Sequence, residues 1–381
     1  MQINAKMSAL TLAVAAVVAS TAHAQPQEQV VRIAHVGPIT GPVAHVGKDN
    51  ENGARMAIDD LNAKGIVIDG KKIKFVLQAE DDASDPKQAT SVAQKLVDAK
   101  VAAVIGHLQS GTSIPASKIY YDAGIPQISP SATSAKYTQQ GFNTTFRVVA
   151  NDSQLGAVMG RYAAKTLHAK RVAVIDDRTA YGQGLATEFA KDAKANGVEI
   201  VATQYTSDRA IDFSAILTAV KAKKPDLIFF GGIDASAGAM LRQIRQLGIN
   251  AKFMGGDAIC TSALPRLAGE GLVDDNVYCA IAGGVEDNAP LDAFKAAYKK
   301  KYQTDIVQYA PYTYDAVMTI ADAMQKANSV DPKTYLPALA KIQHTGVTGK
   351  IAFDKNGDIR NGTLSIYTFR NGQQTLLTVT K

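Results

Sequence analysis

Val104-Ile-Gly-His-Leu-Gln-Ser-Gly-Thr-Ser-Ile-Pro-Ala-Ser117 passes from an apolar run, through a small polar cluster, into a helix start. The run that feeds it, Val101–Ile105, has the near-continuous apolar character of a parallel strand covered on both faces. It breaks at Gly106. A Ser/Gly/Thr/Ser cluster follows, and the sequence predicts a helix entered through Ile114, Pro115 and Ala116. Such a strand end aims hydroxyls and unpaired helix amides at one point, which suits a small anion such as a carboxylate. No nucleophile motif, metal-ligand spacing or phosphate loop accompanies it. The site reads as one that holds rather than reacts.

The same alternation extends through most of the chain and predicts an α/β fold with parallel sheets covered on both faces. Strands are predicted at Val31–Val36, Ile73–Leu77, Val101–Ile105, Pro126–Ser129, Phe146–Val149, Arg171–Ile175, Glu199–Thr203, Asp226–Phe230, Lys252–Met254 and Val277–Ala280. Between them, Asp85-Pro86-Lys87-Gln88 opens a helix with Asp as N-cap, Pro at the first position and Gln placed to close a capping box. Its residues Ala89, Val92, Ala93, Leu96 and Val97 follow helical spacing. A second helix is expected near Ile211–Ala222, burying Phe213, Ile216, Leu217 and Val220. Asn371-Gly372 predicts a hairpin turn within Thr363–Lys381. The pattern occurs twice: Asp226–Phe230, Gly231, Gly232 and Ser236 repeat the arrangement seen at Val101–Ser110. Two such halves would meet at the carboxyl ends of their strands and leave a cleft there.

Lys6, the apolar core Ala9–Val18 and the small-x-small triplet Ala22-His23-Ala24 read as a secretory signal cleaved before Gln25. No later segment is apolar for long enough to span a bilayer, so export to the periplasm as a soluble protein is expected. The remaining length suits two domains. The formal charge of +6 is spread over helix faces, with no basic stripe carrying interleaved aromatics, so nucleic acid is not an expected partner. Cys260 and Cys279 are the two cysteines of the chain. In an oxidising compartment they favour a single bridge; two separate buried thiols are the alternative.

Several chemistries are missing. The six histidines show no helical i, i+4 pair, so no metal site is expected. Tyr181-Gly182-Gln183-Gly184 lacks the third glycine of a dinucleotide loop at Thr187. Leu108 stands where a nucleophile elbow around Ser110 needs glycine, and His107 reads as a packed strand-end residue. No enzyme activity and no cofactor are expected.

At this point the residues resemble a known family. Val36-Gly37-Pro38-Ile39-Thr40-Gly41-Pro42-Val43-Ala44, Asn62-Ala63-Lys64-Gly65, Asp81-Asp82-Ala83-Ser84-Asp85-Pro86-Lys87-Gln88-Ala89, Ile105-Gly106-His107-Leu108 and Tyr181-Gly182-Gln183-Gly184-Leu185-Ala186 are similar to the periplasmic leucine/isoleucine/valine-binding proteins. So are Leu241-Arg242-Gln243 and Phe253-Met254-Gly255, and the likeness runs in order through nearly the whole mature chain. The resemblance implies the type I periplasmic-binding fold: two Rossmann-like lobes joined by three crossings, closing on a ligand and presenting it to an inner-membrane ABC permease. With the signal peptide read at 1–24, the expected lobes are an N-terminal one of 25–149 plus 283–364 and a C-terminal one of 150–282 plus 365–381. A monomer is expected.

Carried over position by position, the resemblance places Ser110 at the ligand's carboxylate. Ser131 and Thr133 fall where a carbonyl, an amide and a hydroxyl complete the head-group site. Tyr181 matches a tyrosine reaching in from the second lobe. Asp257 takes the place of an acid, Glu in the relative, that pairs with the α-ammonium, and Tyr309 matches an aromatic of the side-chain pocket. Val46 and Ile233 replace two pocket tyrosines, while Ser84 and Gln109 replace a cysteine pair. The pocket is then wider and apolar, and favours leucine, isoleucine or valine, with phenylalanine admitted by the extra room. Three other readings stay open: a small aromatic or aliphatic carboxylate as ligand, a ligand-sensing receptor module, and an exported hydrolase using Ser110.

Overall fold

The computed structural model describes residues 28–283 and 289–380; the signal-peptide assignment at 1–24 lies outside them. The strands are β1 (Glu28–Val36), β2 (Val67–Ile68), β3 (Lys71–Glu80), β4 (Ala103–Gly106), β5 (Gln127–Ser129), β6 (Thr145–Arg147), β7 (Arg171–Asp176), β8 (Glu199–Tyr205), β9 (Leu227–Gly231), β10 (Lys252–Gly255), β11 (Val277–Ile281), β12 (His344–Gly346), β13 (Gly349–Ile351), β14 (Leu364–Arg370) and β15 (Gln373–Thr380). The helices are α1 (Ala44–Lys64), α2 (Pro86–Asp98), α3 (Ser110–Ala123), α4 (Asp152–Lys165), α5 (Ala180–Ala195), α6 (Ser214–Ala222), α7 (Asp234–Gln246), α8 (Leu264–Ala268), α9 (Ala289–Tyr302), α10 (Ala310–Ala327) and α11 (Pro332–Ala340).

They form two α/β lobes. One sheet runs β2-β3-β1-β4-β5-β6, parallel except for β2; the other runs β15-β14-β11-β10-β9-β7-β8, parallel except for the hairpin β14–β15. Each is doubly wound about its first strand: β1 lies between β3 and β4, and β7 lies between β8 and β9. Each thus has a crevice at the carboxyl end of that strand. The chain passes between the sheets after Arg147, after Ile281 and before Leu364. Helix α10 packs on α1 and so belongs with the first sheet.

All ten strands expected from the apolar runs form, with ends that coincide or shift by up to three residues. Both faces of β4 and β9 are buried, as continuous apolar runs require. Asn371 and Gly372 both take left-handed backbone, the turn a two-residue hairpin needs. Cys260 and Cys279 are disulfide-bonded and tie the segment after β10 to β11. No described helix is long and apolar enough to cross a membrane.

Three local expectations are corrected. Asp85 caps α2 by accepting from the amides of Lys87 (2.8 Å) and Gln88 (2.9 Å), but Gln88 does not close a capping box. The Asp85 amide is already bonded to the Asp82 carbonyl (2.8 Å), so the Gln88 side chain donates to the Asp81 carbonyl instead. Helix α3 begins at Ser110 rather than at Ile114, because the amides of Thr112 and Ser113 already close on the Gln109 carbonyl. Pro115 therefore sits inside the helix, where it removes only the bond its amide would give to Gly111. Helix α6 starts at Ser214, and Ile211 is left exposed.

Candidate functional site

A cavity of about 320 Å³ lies between the lobes at the carboxyl ends of the strands. The first lobe lines it with Val46 on α1, Leu108–Gly111 between β4 and α3, Ser131 after β5, and Gln308 and Tyr309 ahead of α10. The second lobe adds Arg178–Tyr181 after β7, Asp208 after β8, Ile233 after β9, and Asp257 and Ala258 after β10. Seven of the eight sequence-predicted ligand residues share this wall; Thr133 does not.

Ser110 is the first residue of α3, so its own amide is one of the helix's unpaired donors. Its Oγ accepts from the Ser134 amide (3.1 Å), which fixes the hydroxyl and leaves its hydrogen to donate. Ser131 is occupied differently, its hydroxyl donating to the Leu108 carbonyl (2.8 Å). These are neutral groups, locked to their own loop. The one hydrogen of the Ser131 hydroxyl is thereby spent, so the donors an anion meets here without rearrangement are the Ser110 hydroxyl and the first amides of α3.

The opposite wall carries the charge. Asp257 is 1 % exposed, and its two oxygens accept from the phenols of Tyr181 (2.7 Å) and Tyr309 (2.6 Å). Burial raises its pKa, and the two phenols offset that only in part. Among the described residues no cationic side chain pairs with it. A buried carboxylate held by neutral donors alone is incompletely compensated and favours a cation beside it.

The Asp257–Tyr309 bond crosses the cleft. So does the bond from Gln308 Nε2 to the Asp257 carbonyl (2.8 Å), and so does the pair formed by His45 Nε2 and Asp234 Oδ2 (2.7 Å). The lobes are therefore closed on each other.

Thr133 and Asp152 stand beside this wall. Asp152 opens α4 just past the first crossing, its amide bonded to the Thr133 carbonyl (2.8 Å). Its carboxyl oxygens and the Thr133 hydroxyl are buried without a hydrogen-bond partner. Burial first, and the charge of Asp257 second, push the Asp152 pKa up to about 8; the neighbouring Thr133 hydroxyl offsets this in part.

The hydrolase reading fails on geometry. His107 Nδ1 bonds Asp82 (2.8 Å) and Nε2 bonds the Tyr120 hydroxyl (3.1 Å), all buried, so neither nitrogen is free to act as base. Ser110 bonds an amide instead of a histidine. Among the described residues no cluster of metal-ligating side chains forms.

Sequence reasoning missed Gln308, Arg178, Asp208 and Asp49. Asp49, fully buried on α1, accepts from the amides of Val307, Gln308, Tyr309 and Ala310 and from the Tyr298 hydroxyl. It thereby sets Tyr309 at the cleft. Arg178 lies over the Tyr205 ring, 4.0 Å from its centroid. Neither role leaves a local signature, because both are made by residues far apart in the chain.

A family model described as "Periplasmic binding protein" matches residues 30–374. The chain belongs to the periplasmic binding protein family. Members of this family bind substrates and are not enzymes, and the family name places them in the periplasm. The "Leucine-, isoleucine-, valine-, threonine-, and alanine-binding protein" of Pseudomonas aeruginosa is 34 % identical, over 88 % of this chain and 89 % of that one. The "Leucine-specific-binding protein" of Salmonella typhimurium is also 34 % identical, over 88 % and 90 %. Among solved structures, a branched-chain amino acid transporter substrate binding protein of Streptococcus pneumoniae in complex with isoleucine is 31 % identical. It superposes with a TM-score of 0.81 over 92 % of this chain and 99 % of that one.

Proposed function

We propose that this chain is the substrate-binding protein of an ABC importer and carries a neutral apolar amino acid, leucine, isoleucine or valine first and phenylalanine next. The observation that carries the reading is Asp257, a buried carboxylate held by two phenols with no cationic partner among the described residues, facing neutral donors across one small cavity. A zwitterion satisfies both ends at once: its carboxylate meets Ser110 and the start of α3, and its ammonium meets Asp257. A carboxylate lacking an amine would leave Asp257 against apolar contents, at a cost of about 1–3 kcal/mol or more. Val46 and Ile233 line the same cavity and supply its apolar side. The names of the relatives agree with this ligand class.

In this reading residues 1–24 direct export. Lobes of 25–149 plus 283–364 and 150–282 plus 365–381 close as a monomer and deliver the ligand to an inner-membrane permease. A thermal-shift panel followed by calorimetry tests it. Branched-chain amino acids are expected to raise the melting temperature by mass action, and benzoate-type acids to leave it unchanged. Stabilisation by an aromatic acid with no response to leucine, isoleucine, valine or phenylalanine would overturn the reading.

A further inference from the structure

We propose that Gln308 is a specificity-determining residue: its side chain is the partition that closes the ligand cavity on the hinge side and sets the largest amino-acid side chain the cavity accepts. This rests on the amino-acid reading above and deepens it.

A second cavity, of about 290 Å³, also lies between the lobes. The first lobe lines it with Val307, Pro311 and Tyr312, and the second with Cys260, Ile281 and Tyr367. Ile281 ends β11 at the second crossing, so this cavity sits on the hinge side of the first. Among the described residues Gln308 alone lines both. It is 8 % exposed, its Nε2 donates across the cleft to the Asp257 carbonyl (2.8 Å), and its Oε1 is buried without a partner. The amide thus makes one bond, and the rest of the side chain serves as bulk between two spaces.

Two contacts put Gln308 at the side-chain end of the ligand cavity. Asp49, one helical turn beyond Val46 on α1, accepts from the amides of Val307 (3.0 Å) and Gln308 (3.0 Å), which seats Gln308 beside Val46. Across the cleft, the pair of His45 and Asp234 (2.7 Å) brings the start of α7, and with it Ile233, against the same stretch of α1. The side chains of Val46 and Ile233 are apolar and offer no bond that would choose among ligands, so selection at this end is by size. The cavity's 320 Å³ stands at the low end of the about 300–1,000 Å³ typical of small-molecule sites. Without the Gln308 side chain the two spaces would join and the room would nearly double. A tryptophan therefore has to displace Gln308 and break its bond to Asp257, whereas a leucine leaves both in place.

Calorimetric titration of the full chain with leucine and with tryptophan tests this through the ratio of the two Kd values, which cancels whatever a substitution does to closure itself. Wild type is expected to bind tryptophan at least a hundredfold more weakly than leucine. Gln308→Ala joins the cavities and is expected to lower that ratio at least fivefold. Gln308→Met keeps the bulk and loses the bond to Asp257; it is expected to weaken both ligands alike and hold the ratio within threefold of wild type. A smaller fall in Gln308→Ala overturns the proposal, as does wild type that takes tryptophan as tightly as leucine. An equal fall in Gln308→Met also overturns it, because the selectivity then belongs to the bond and not to the bulk. Should the alanine variant fail to fold, Gln308→Asn, one carbon shorter with the amide kept, is read by the same criterion. A wild-type protein that binds none of leucine, isoleucine, valine and phenylalanine is a different result, because it refutes the underlying reading rather than the role of Gln308.

Discussion

Asp257→Asn separates ligand recognition from folding. Asparagine keeps the shape of the side chain in a site that is 1 % exposed and replaces one charged oxygen by an amide. The phenols of Tyr181 and Tyr309, now at 2.7 and 2.6 Å as donors, adapt at low cost, since a phenol accepts as readily as it donates. The free protein also loses a carboxylate whose charge burial disfavours. Its melting temperature is therefore expected to stay the same or rise. Leucine fares differently, because its ammonium would be buried against neutral groups alone. Breaking one side of a desolvated pair costs about 3–5 kcal/mol, or roughly two to nearly four decades in Kd. Calorimetry of leucine binding, with thermal melts of the free variant, measures both quantities. Affinity within threefold of wild type would refute the ammonium role, and a melting temperature many degrees lower would show that the carboxylate serves the fold.

His35 is fully buried with both ring nitrogens unpartnered, and burial holds its pKa at about 4 against an ordinary 6.5. The unfolded chain binds that proton first, so His35 should cost roughly 3 kcal/mol of stability as the pH falls from 6.5 to 4. Asp152 and Asp177, raised to about 8 and about 6, act in the opposite sense, losing stability as the pH rises through those values. The effect is therefore read as the difference in urea stability between wild type and His35→Gln at pH 7 and pH 4. Equal losses in both proteins would refute it. Replacing both Cys260 and Cys279 by Ala, which opens a bridge spanning 19 residues, should lower unfolding stability by about 3 kcal/mol without moving leucine affinity. Unchanged denaturation midpoints would show that the bridge constrains little.

What was legible in the sequence was whatever the chain encodes locally. Parallel strands announce themselves as apolar runs ending in glycine and small polar residues, and β4 and β9 are such runs. Asp85 and Pro86 cap a helix because capping needs only neighbours. Val46, Ser110, Ser131, Tyr181, Ile233, Asp257 and Tyr309 were placed through the resemblance and lie around one cavity. What was not legible depends on competition between distant groups. The capping box at Gln88 failed because Asp82 had taken the Asp85 amide, and α3 started early because Gln109 offered a carbonyl to two amides. Asp49 looks like an ordinary polar residue of α1 until the chain returns more than 250 positions later and lays four amides on it.

The cross-cleft bonds explain how such a site can transmit occupancy. Tyr309 and Gln308 on one lobe both reach Asp257 on the other, and His45 reaches Asp234, so the closed geometry has its own contacts before any guest is present. Closing empty, however, takes Asp257 out of water with no cation to meet it, and places Asp152 near a like charge. These two penalties favour the open state. A ligand shifts the balance only by its differential affinity for the closed form, and an ammonium supplies that by bonding Asp257 where water no longer can. The same charge on an open lobe would gain little, being solvated. On the proposed amino-acid reading, recognition of the ammonium and closure of the lobes are one event, and a guest that lacks the ammonium is expected to bind the first lobe without closing the second.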